Sequence, residues 1–305
     1  MLVYAIKRFG VAILVAVTVS LLSFSLIYIS GDPAMALAGE SATQEDIENI
    51  RRVYGYDRPL VVQYVDWLTR VLQGDLGRSH YLKSEVADVI FDRLPTTMIL
   101  GACALLFALV LSIPLGVLAA MRPNTLIDRV ALSIAVVGQA LPSFWFALIL
   151  IFWVGVVWRL LPITGTDSWR NFIMPSIALG YYVTPAVMRL TRAGMLEVLA
   201  SDYIRTARAK GLRPMSVLFK HALRNAIIPV VSLSAVQFGF MLGGSIVIET
   251  IFAINGIGYL AWETIQRGDL PIMQAIVLIL ACFYIVLTYL ADMLNAFLDP
   301  RIRVG

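Results

Sequence analysis

An all-α membrane protein built on six transmembrane helices is the fold class this sequence predicts, and three observations predict it. The first is composition: 59% of the 305 residues are hydrophobic and only 14% are charged, with a mean hydropathy of +0.82. That is too apolar for a water-soluble domain of this length. The second is six runs free of Asp, Glu, Lys and Arg: Phe9 to Ile29, Leu94 to Met121, Val130 to Trp158, Asn171 to Met188, Asn225 to Ile248 and Leu270 to Ala291. Each holds the roughly 17 to 25 residues that cross about 30 Å of hydrocarbon. The third is charge asymmetry. With the N-terminus inside, the inner segments carry 14 basic residues against four acidic ones, whereas residues 31–93 carry 11 acids and seven bases. Short cytoplasmic loops are enriched in Lys and Arg, so both termini are expected to face the cytoplasm.

Residues 1–30 read as a first span that is retained. Lys7-Arg8 ahead of an apolar run resembles a secretion signal, but the run is too long and lacks a small-x-small cleavage site. Residues 31–93 are too long for a turn. Thr43 with Asp46 resembles a capping box, and Ile47, Ile50, Val53 and Tyr54 then recur at helical spacing until Gly55. Pro59 opens a second helix with Leu60, Tyr64, Trp67, Leu68 and Val71 roughly on one side, ending near Gly74. Tyr64 and Trp67 suit headgroup level. The segment reads equally as a packed cap over the spans and as a docking platform for an external partner.

Residues 94–305 hold the remaining five runs. The fourth, Asn171 to Met188, is short and carries Pro175, Gly180 and Pro185. It predicts a kinked or tilted helix with Arg189 and Arg192 reaching toward the interface. Gly239, Gly243 and Gly244 permit close approach between helices. Cys103 and Cys282 fall inside spans and read as apolar packing residues, while His80 and His221 stand alone on opposite sides, which argues against a metal site.

Between the fourth and fifth runs lies the long basic stretch Met195 to Pro229, with its loop at 195–226. Ser201 can cap a short helix, Asp202 suits its positive end, and Lys210-Gly211 suits its other end. Pro214 fits the first turn of a second helix. Tyr203 and Ala207 share one face and Arg205 and Arg208 another, giving a small knob with an apolar side and a cationic rim. In a soluble protein it could be a DNA-reading helix-turn-helix or a solvated face; the flanking spans exclude the first.

Enzyme chemistry is missing. There is no G-x-x-x-x-G-K-[ST], H-E-x-x-H, G-x-S-x-G or C-x-x-C, and Gly256 with Gly258 is only a fragment of a dinucleotide fingerprint. Inside the spans the ionisable residues are Glu249 and Asp292, toward the ends of the fifth and sixth runs, so the midplane relay of an ion-coupled carrier is absent. Uncharged polar residues either line a wet path or hydrogen-bond between helices. Gln139, Tyr181 and Gln237 are the path candidates.

Several stretches carry a family resemblance. Glu197 to Pro229, EVLASDYIRTARAKGLRPMSVLFKHALRNAIIP, closely resembles the cytoplasmic signature loop of ABC-importer permeases in the dipeptide, oligopeptide, glutathione and nickel group. YAIKR, Gly31-Asp32-Pro33, YGYDRPLVVQY with GDLGRS, LPSFWFALIL, MPSIALG, GGSIVIETIF and Asp299-Pro300-Arg301 extend the likeness over nearly the whole chain. Two departures stand out: Arg205-Thr206-Ala207 replaces the acidic start of the general E-A-A-x-x-x-G pattern, and Asn255-Gly256 stands where the group often has Pro-Gly.

The resemblance implies a type I ABC-importer permease fold with a helical periplasmic insertion after the first span. The knob would be the coupling helix, docked in a groove of a cytoplasmic ATPase. Tyr203, Ile204 and Ala207 would fill the groove, Arg205, Arg208 and Lys210 would pair at its rim, and Gly211 would make the turn. The helix from Pro214 to Asn225 would pass motion to the fifth span. The chain itself would be no enzyme and hold no cofactor; ATP and Mg would be bound by partner ATPase subunits. Further implied partners are a homologous second permease in a heterodimer and a periplasmic or lipid-anchored substrate-binding protein, with no nucleic acid. The implied location is the bacterial cytoplasmic (inner) membrane, and the solute a dipeptide, a longer peptide, glutathione or chelated nickel. A stand-alone secondary carrier or channel is the alternative, distinguished by transport without an ATPase; a membrane enzyme lacks any nucleophile-base or metal constellation.

Overall fold

The first apolar run folds as α1 (Leu2–Ile29). The computed structural model describes residues 2–29, 32–38, 42–79 and 81–298, and among them the chain is helical apart from short connections and one isolated bridge between Arg78 and Glu85. Gly31, His80, the closing Asp299-Pro300-Arg301 and Arg303 lie outside the described residues.

After α1 come α2 (Pro33–Ala38), α3 (Gln44–Val53) and α4 (Leu60–Leu72). The capping box at α3 is formed: the Asp46 N–H donates to Thr43 Oγ1 at 3.3 Å and the Thr43 N–H donates to Asp46 Oδ2 at 3.0 Å. Gly55 and Gly74 both have positive φ and end their helices as the sequence predicts. α4 lies against the end of α1, with a hydrogen bond of 2.7 Å between the Tyr64 and Ser20 hydroxyls and the Phe24 ring 5.6 Å from Tyr64 and 5.8 Å from Trp67. Leu60, expected on the packed side, is instead exposed.

α5 (Val86–Met121) is the axis of the molecule. It is followed by α6 (Leu126–Ala140) and by α7 (Ser143–Leu150), which continues as a π-helical segment at Ile151–Val157. A 3-10 turn at Trp169–Phe172 leads into α8 (Ile173–Tyr181) and α9 (Thr184–Leu199). Then come α10 (Asp202–Ala209), α11 (Pro214–Ser216), a π-helical segment at Val217–Leu223, α12 (Arg224–Ala226), α13 (Ile228–Phe252), α14 (Ile257–Arg267) and α15 (Leu270–Leu298).

Among the described residues four helices are long and apolar enough to cross a membrane: α1, α5, α13 and α15. The other two expected spans are helical in two pieces each. The Val130 to Trp158 run breaks at Leu141, which takes an extended conformation (φ −92°, ψ 131°) because the following Pro142 crowds the helical region for its predecessor. The Asn171 to Met188 run breaks between α8 and α9, just ahead of Pro185, the kink the sequence predicts.

Packing follows from small residues on α5. Ala104 and Ala108 are fully buried with Leu100, Met174, Ala178, Val187, Val230 and Met241. A Cβ at Gly180 would stand 2.3 Å from the Ala104 carbonyl oxygen, so only glycine lets α8 approach α5 this closely. Gly239 similarly makes room for Tyr284 of α15, whereas Gly243 has nothing within 4 Å and opens outward. At one end of the bundle Val86 and Ile90 of α5 meet Ile257 and Leu260 of α14 and Ile272 of α15. At the other end Val117 and Ala120 meet the loop that contains α10. α15 pairs with α1, where the Ser23 hydroxyl donates to the Gln274 carbonyl at 2.8 Å and Arg8 lies 3.4 Å from Asp292.

Arg192 does not reach outward as expected. Its Nε and a terminal nitrogen donate to Asp128 Oδ1 and Oδ2 at 2.8 and 2.7 Å, and the Asn124 N–H adds a third bond to Oδ2 at 2.9 Å. Asp128 is buried while the Arg192 side chain keeps 23% of its surface exposed. A bidentate partner at this distance satisfies the guanidinium better than the interface would. The guanidinium holds the Asp128 carboxyl below its usual range. Asp128→Ala is therefore expected to cost about 2 to 3 kcal/mol by stranding Arg192, read as thermal unfolding in detergent. With a depressed folded value, the pair stabilises fully above the unfolded carboxyl's pKa of about 3.9, and its contribution is lost as pH falls below that through the folded value. The gap between wild type and variant should thus stay level from neutral pH to about 5 and close under acid conditions.

Candidate functional site

α10 owes its limits to local chemistry. Ser201 takes the extended N-cap conformation (φ −71°, ψ 153°), but its hydroxyl donates back to the Val198 carbonyl at 2.5 Å and accepts nothing from the first turn. The expected side-chain cap is thus replaced by a tie to the end of α9. Asp202 sits in the first turn, where its charge suits the dipole, and its carboxylate pairs with Arg205. The Thr206 hydroxyl donates to the Asp202 carbonyl at 3.0 Å. The helix closes with a Schellman motif: the Gly211 N–H donates to Arg208 O at 3.0 Å and the Leu212 N–H to Ala207 O at 3.4 Å. Gly211 supplies the left-handed residue, at φ +74°.

The two faces of α10 are sharply different. Ile204 is 0% exposed and Ala207 8%, both packed into this chain's own core with Met195 of α9, Val117 of α5, and Val217, Leu218 and Ala222 of the following segment. This corrects the expectation that Ile204 and Ala207 fill a partner's groove: their burial is what fastens the helix to the bundle. Arg205, Arg208 and Lys210 are exposed, and Tyr203 keeps 44% of its surface. The Tyr203 hydroxyl accepts from Asn225 Nδ2 at 2.9 Å, so its ring leans on the segment leading to α13.

Sequence reasoning missed Met215 and Phe219, which are 66% and 53% exposed on that same loop. Their signal is an apolar pair four residues apart in a cationic stretch that also holds Arg213 and Lys220. Together the loop offers three apolar side chains among cations, a surface suited to an acidic groove with an apolar floor.

The three path candidates fare differently. The Tyr181 hydroxyl donates to the Ile134 carbonyl at 2.5 Å, and its ring packs 5.3 Å from Phe146. It is therefore a tie between α8 and α6 rather than a free path residue. Gln139 is exposed near the end of α6 and Gln237 is half-buried on α13. None of the three lines the small cavity of about 130 Å³ bounded by Ser143, Leu179, Tyr182, Phe240 and Gly244, where Tyr182 stacks on Phe240 at 6.3 Å.

At the far end of the bundle the structure explains Gly256. Glu249 is fully buried and accepts from Thr97 Oγ1 at 2.8 Å and from the Tyr259 N–H at 3.0 Å. Thr97 Oγ1 in turn accepts the Ile257 N–H at 2.8 Å. Two side chains from other helices thus satisfy the first N–H groups of α14. A Cβ at Gly256 would fall 2.3 Å from Glu249 Oε2, so the glycine makes room for a carboxylate, not for a nucleotide. Among the described residues no group of three His, Cys, Asp or Glu could hold a metal ion.

Because nothing lies within 4 Å of a Cβ at Gly211, substitution there meets only backbone strain. Gly211→Ala should cost about 1 kcal/mol and Gly211→Val somewhat more, while Gly211→Asn should be nearly neutral. Thermal unfolding of the three variants measures this order, and equal losses for Asn and Val would contradict it.

Residues 112–304 match the sequence model of a family described as the binding-protein-dependent transport system inner membrane component, and residues 1–101 match the model of its N-terminal part. The chain is 41% identical over 306 residues to the glutathione transport system permease protein GsiC of Pectobacterium atrosepticum and 39% identical over 304 residues to that of Escherichia coli K12, with 99% of both chains covered in each case. Its fold is similar to a chain of the inward-facing MetNI methionine ABC transporter, at a TM-score of 0.58 and 18% identity, over 69% of this chain and 96% of that one.

Proposed function

The chain belongs to the family of binding-protein-dependent transport system inner-membrane components, the permease subunits of ABC importers, and on that premise we propose that it imports short peptides of the glutathione class, driven by ATP on partner subunits. The observation that carries the reading is the split of α10: an apolar face buried against α5 and α9, and a free face of Tyr203, Arg205, Arg208 and Lys210. A helix so anchored can pass a push from outside directly into the bundle. Relatives over the full length are named for glutathione transport, which supports the solute class.

The topology follows from the charge distribution. α1, α5, α13 and α15 each cross once, and the two-piece units within 130–158 and 171–188 supply the other two crossings. Both termini and α10 then face the cytoplasm, while α2 to α4 and α14 face the periplasm. A homologous permease completes the pathway, and a binding protein delivers solute at the periplasmic end and selects it.

This chain's part in the cycle is mechanical. Cytoplasmic ATPases hold ATP and Mg, and their closure moves α10. Arg205, Arg208 and Lys210 pair with acidic groups at the rim of the ATPase groove, and Tyr203, Met215 and Phe219 cover its apolar floor. Gly211 keeps the turn tight, so α9 and α13 move with α10 toward an outward-open state. Nucleotide biases the two states because it binds only one of them well.

Arg205→Glu combined with Arg208→Glu reverses the free face without touching Ile204 or Ala207. The variant should insert at normal levels, lose the ATPase on purification and lose uptake. Normal uptake with the ATPase still bound would remove the coupling assignment.

A further inference from the structure

A cavity of about 660 Å³ lies far from α10, where α1 and α15 meet the α3–α4 insertion. Its floor is the first turn of α15, with Pro271 and Gln274, and one wall is the end of α1 and the face of α4, with Phe24, Tyr28 and Trp67. Three observations say what it takes. First, its depth in a bilayer: α1 and α15 are both long and apolar enough to cross a membrane, and both end at the cavity. Tyr28 and Trp67 mark the level at which aromatic side chains meet headgroups.

Second, its charge. Arg58, Arg70 and Arg78 line it with two acids, Asp66 and Asp75. Asp66 is engaged by Arg58 at 3.3 Å, and Asp75 Oδ1 accepts the Gly77 N–H at 2.8 Å. Among the described residues, Arg70 and Arg78 have no carboxylate partner; Arg78 spends Nε and one terminal nitrogen on the Lys83 carbonyl at 3.3 and 2.9 Å. Third, an orphan. Gln274 is 4% exposed, and its Nε2 is buried without a hydrogen-bond acceptor. A buried amide nitrogen without a partner is costly, and its residue is among those that line the cavity.

We propose that this cavity holds the phosphodiester headgroup of an anionic phospholipid. The phosphate oxygens accept from Arg70 and Arg78, a glycerol or ester oxygen accepts from Gln274, and the acyl chains leave along the apolar exposed flank of α1, where Leu21 and Leu22 face outward. Guanidinium groups suit phosphate oxygens through paired N–H donors. The site makes no use of α10 or of the transported solute. It rests only on the chain's residence in a membrane, so it stands or falls apart from the transport reading.

The test uses the full chain, purified in mild detergent and washed free of lipid. It is titrated with phosphatidylglycerol, phosphatidylcholine or glycerol phosphate, and bound molecules are counted by native mass spectrometry. Wild type should retain phosphatidylglycerol in preference to phosphatidylcholine. Arg70→Gln with Arg78→Gln should weaken that retention at least about tenfold, the scale of a single lost charge-assisted hydrogen bond. Both arginines are exposed, so the variant should fold. Gln274→Leu should also weaken retention while leaving thermal stability of the lipid-free chain unchanged or raised, since it removes the orphan. Equal retention by wild type and the double variant, or of both lipids, would overturn the proposal. So would glycerol phosphate binding as tightly as the lipid, which would make the site one for a free anion. Displacement of the lipid by glutathione would reassign the cavity to solute.

Discussion

The burial of Ile204 and Ala207 is the constraint on which the rest depends. Two side chains three residues apart leave an eight-residue helix no freedom to rotate once both are seated among Met195, Val117, Val217 and Leu218. An isolated helix of that length is not stable in water, so the core contact is what makes α10 a helix at all. It also decides which residues face out. The cations at 205, 208 and 210 face outward because the apolar residues at 204 and 207 face the core.

Rigidity elsewhere comes from a few buried polar ties. Within lipid, burying apolar surface gives helices little reason to associate, and packing and hydrogen bonds hold them instead. Asp128 with Arg192 locks the start of α6 to α9, and Glu249 with Thr97 locks α14 to α5 and α13. Tyr181 ties α8 to α6. Close approach at Gly180 and Gly239 supplies the remaining grip. One tie lies beside the α10 end of the bundle and another at the opposite end.

Much of this was legible in the residues. Thr43 and Asp46, Pro59, Gly55, Gly74 and Gly211 announce helix ends through chemistry that acts within four residues, and the structure shows those ends. The four unbroken apolar helices were equally plain. Periodicity could not say which face of α10 turns inward, because Tyr203 and Arg205 flank Ile204 and the core that receives it includes Val117, far back in the sequence, and Val217 and Leu218 beyond the turn. The partner of Arg192 is 64 residues away, and an arginine near a span end reads as an interfacial anchor until that partner is seen. The π-helical segments at Ile151–Val157 and Val217–Leu223 have no sequence signal of their own. Tyr181 drew attention as a polar residue in an apolar run, and its hydroxyl proved to be spent on a backbone carbonyl.

Fastened through Ile204 and Ala207, α10 should move as one body with α9. Spin labels at Thr206 and Arg189, both on exposed surfaces, report the distance between these helices in the assembled transporter, with and without trapped nucleotide. This distance should change by less than about 2 Å between the two states, because Ile204 and Ala207 stay seated while the helices rotate together. A shift near one helical turn, about 5 Å, would mean that α10 slides over the bundle and that its buried face is not the link.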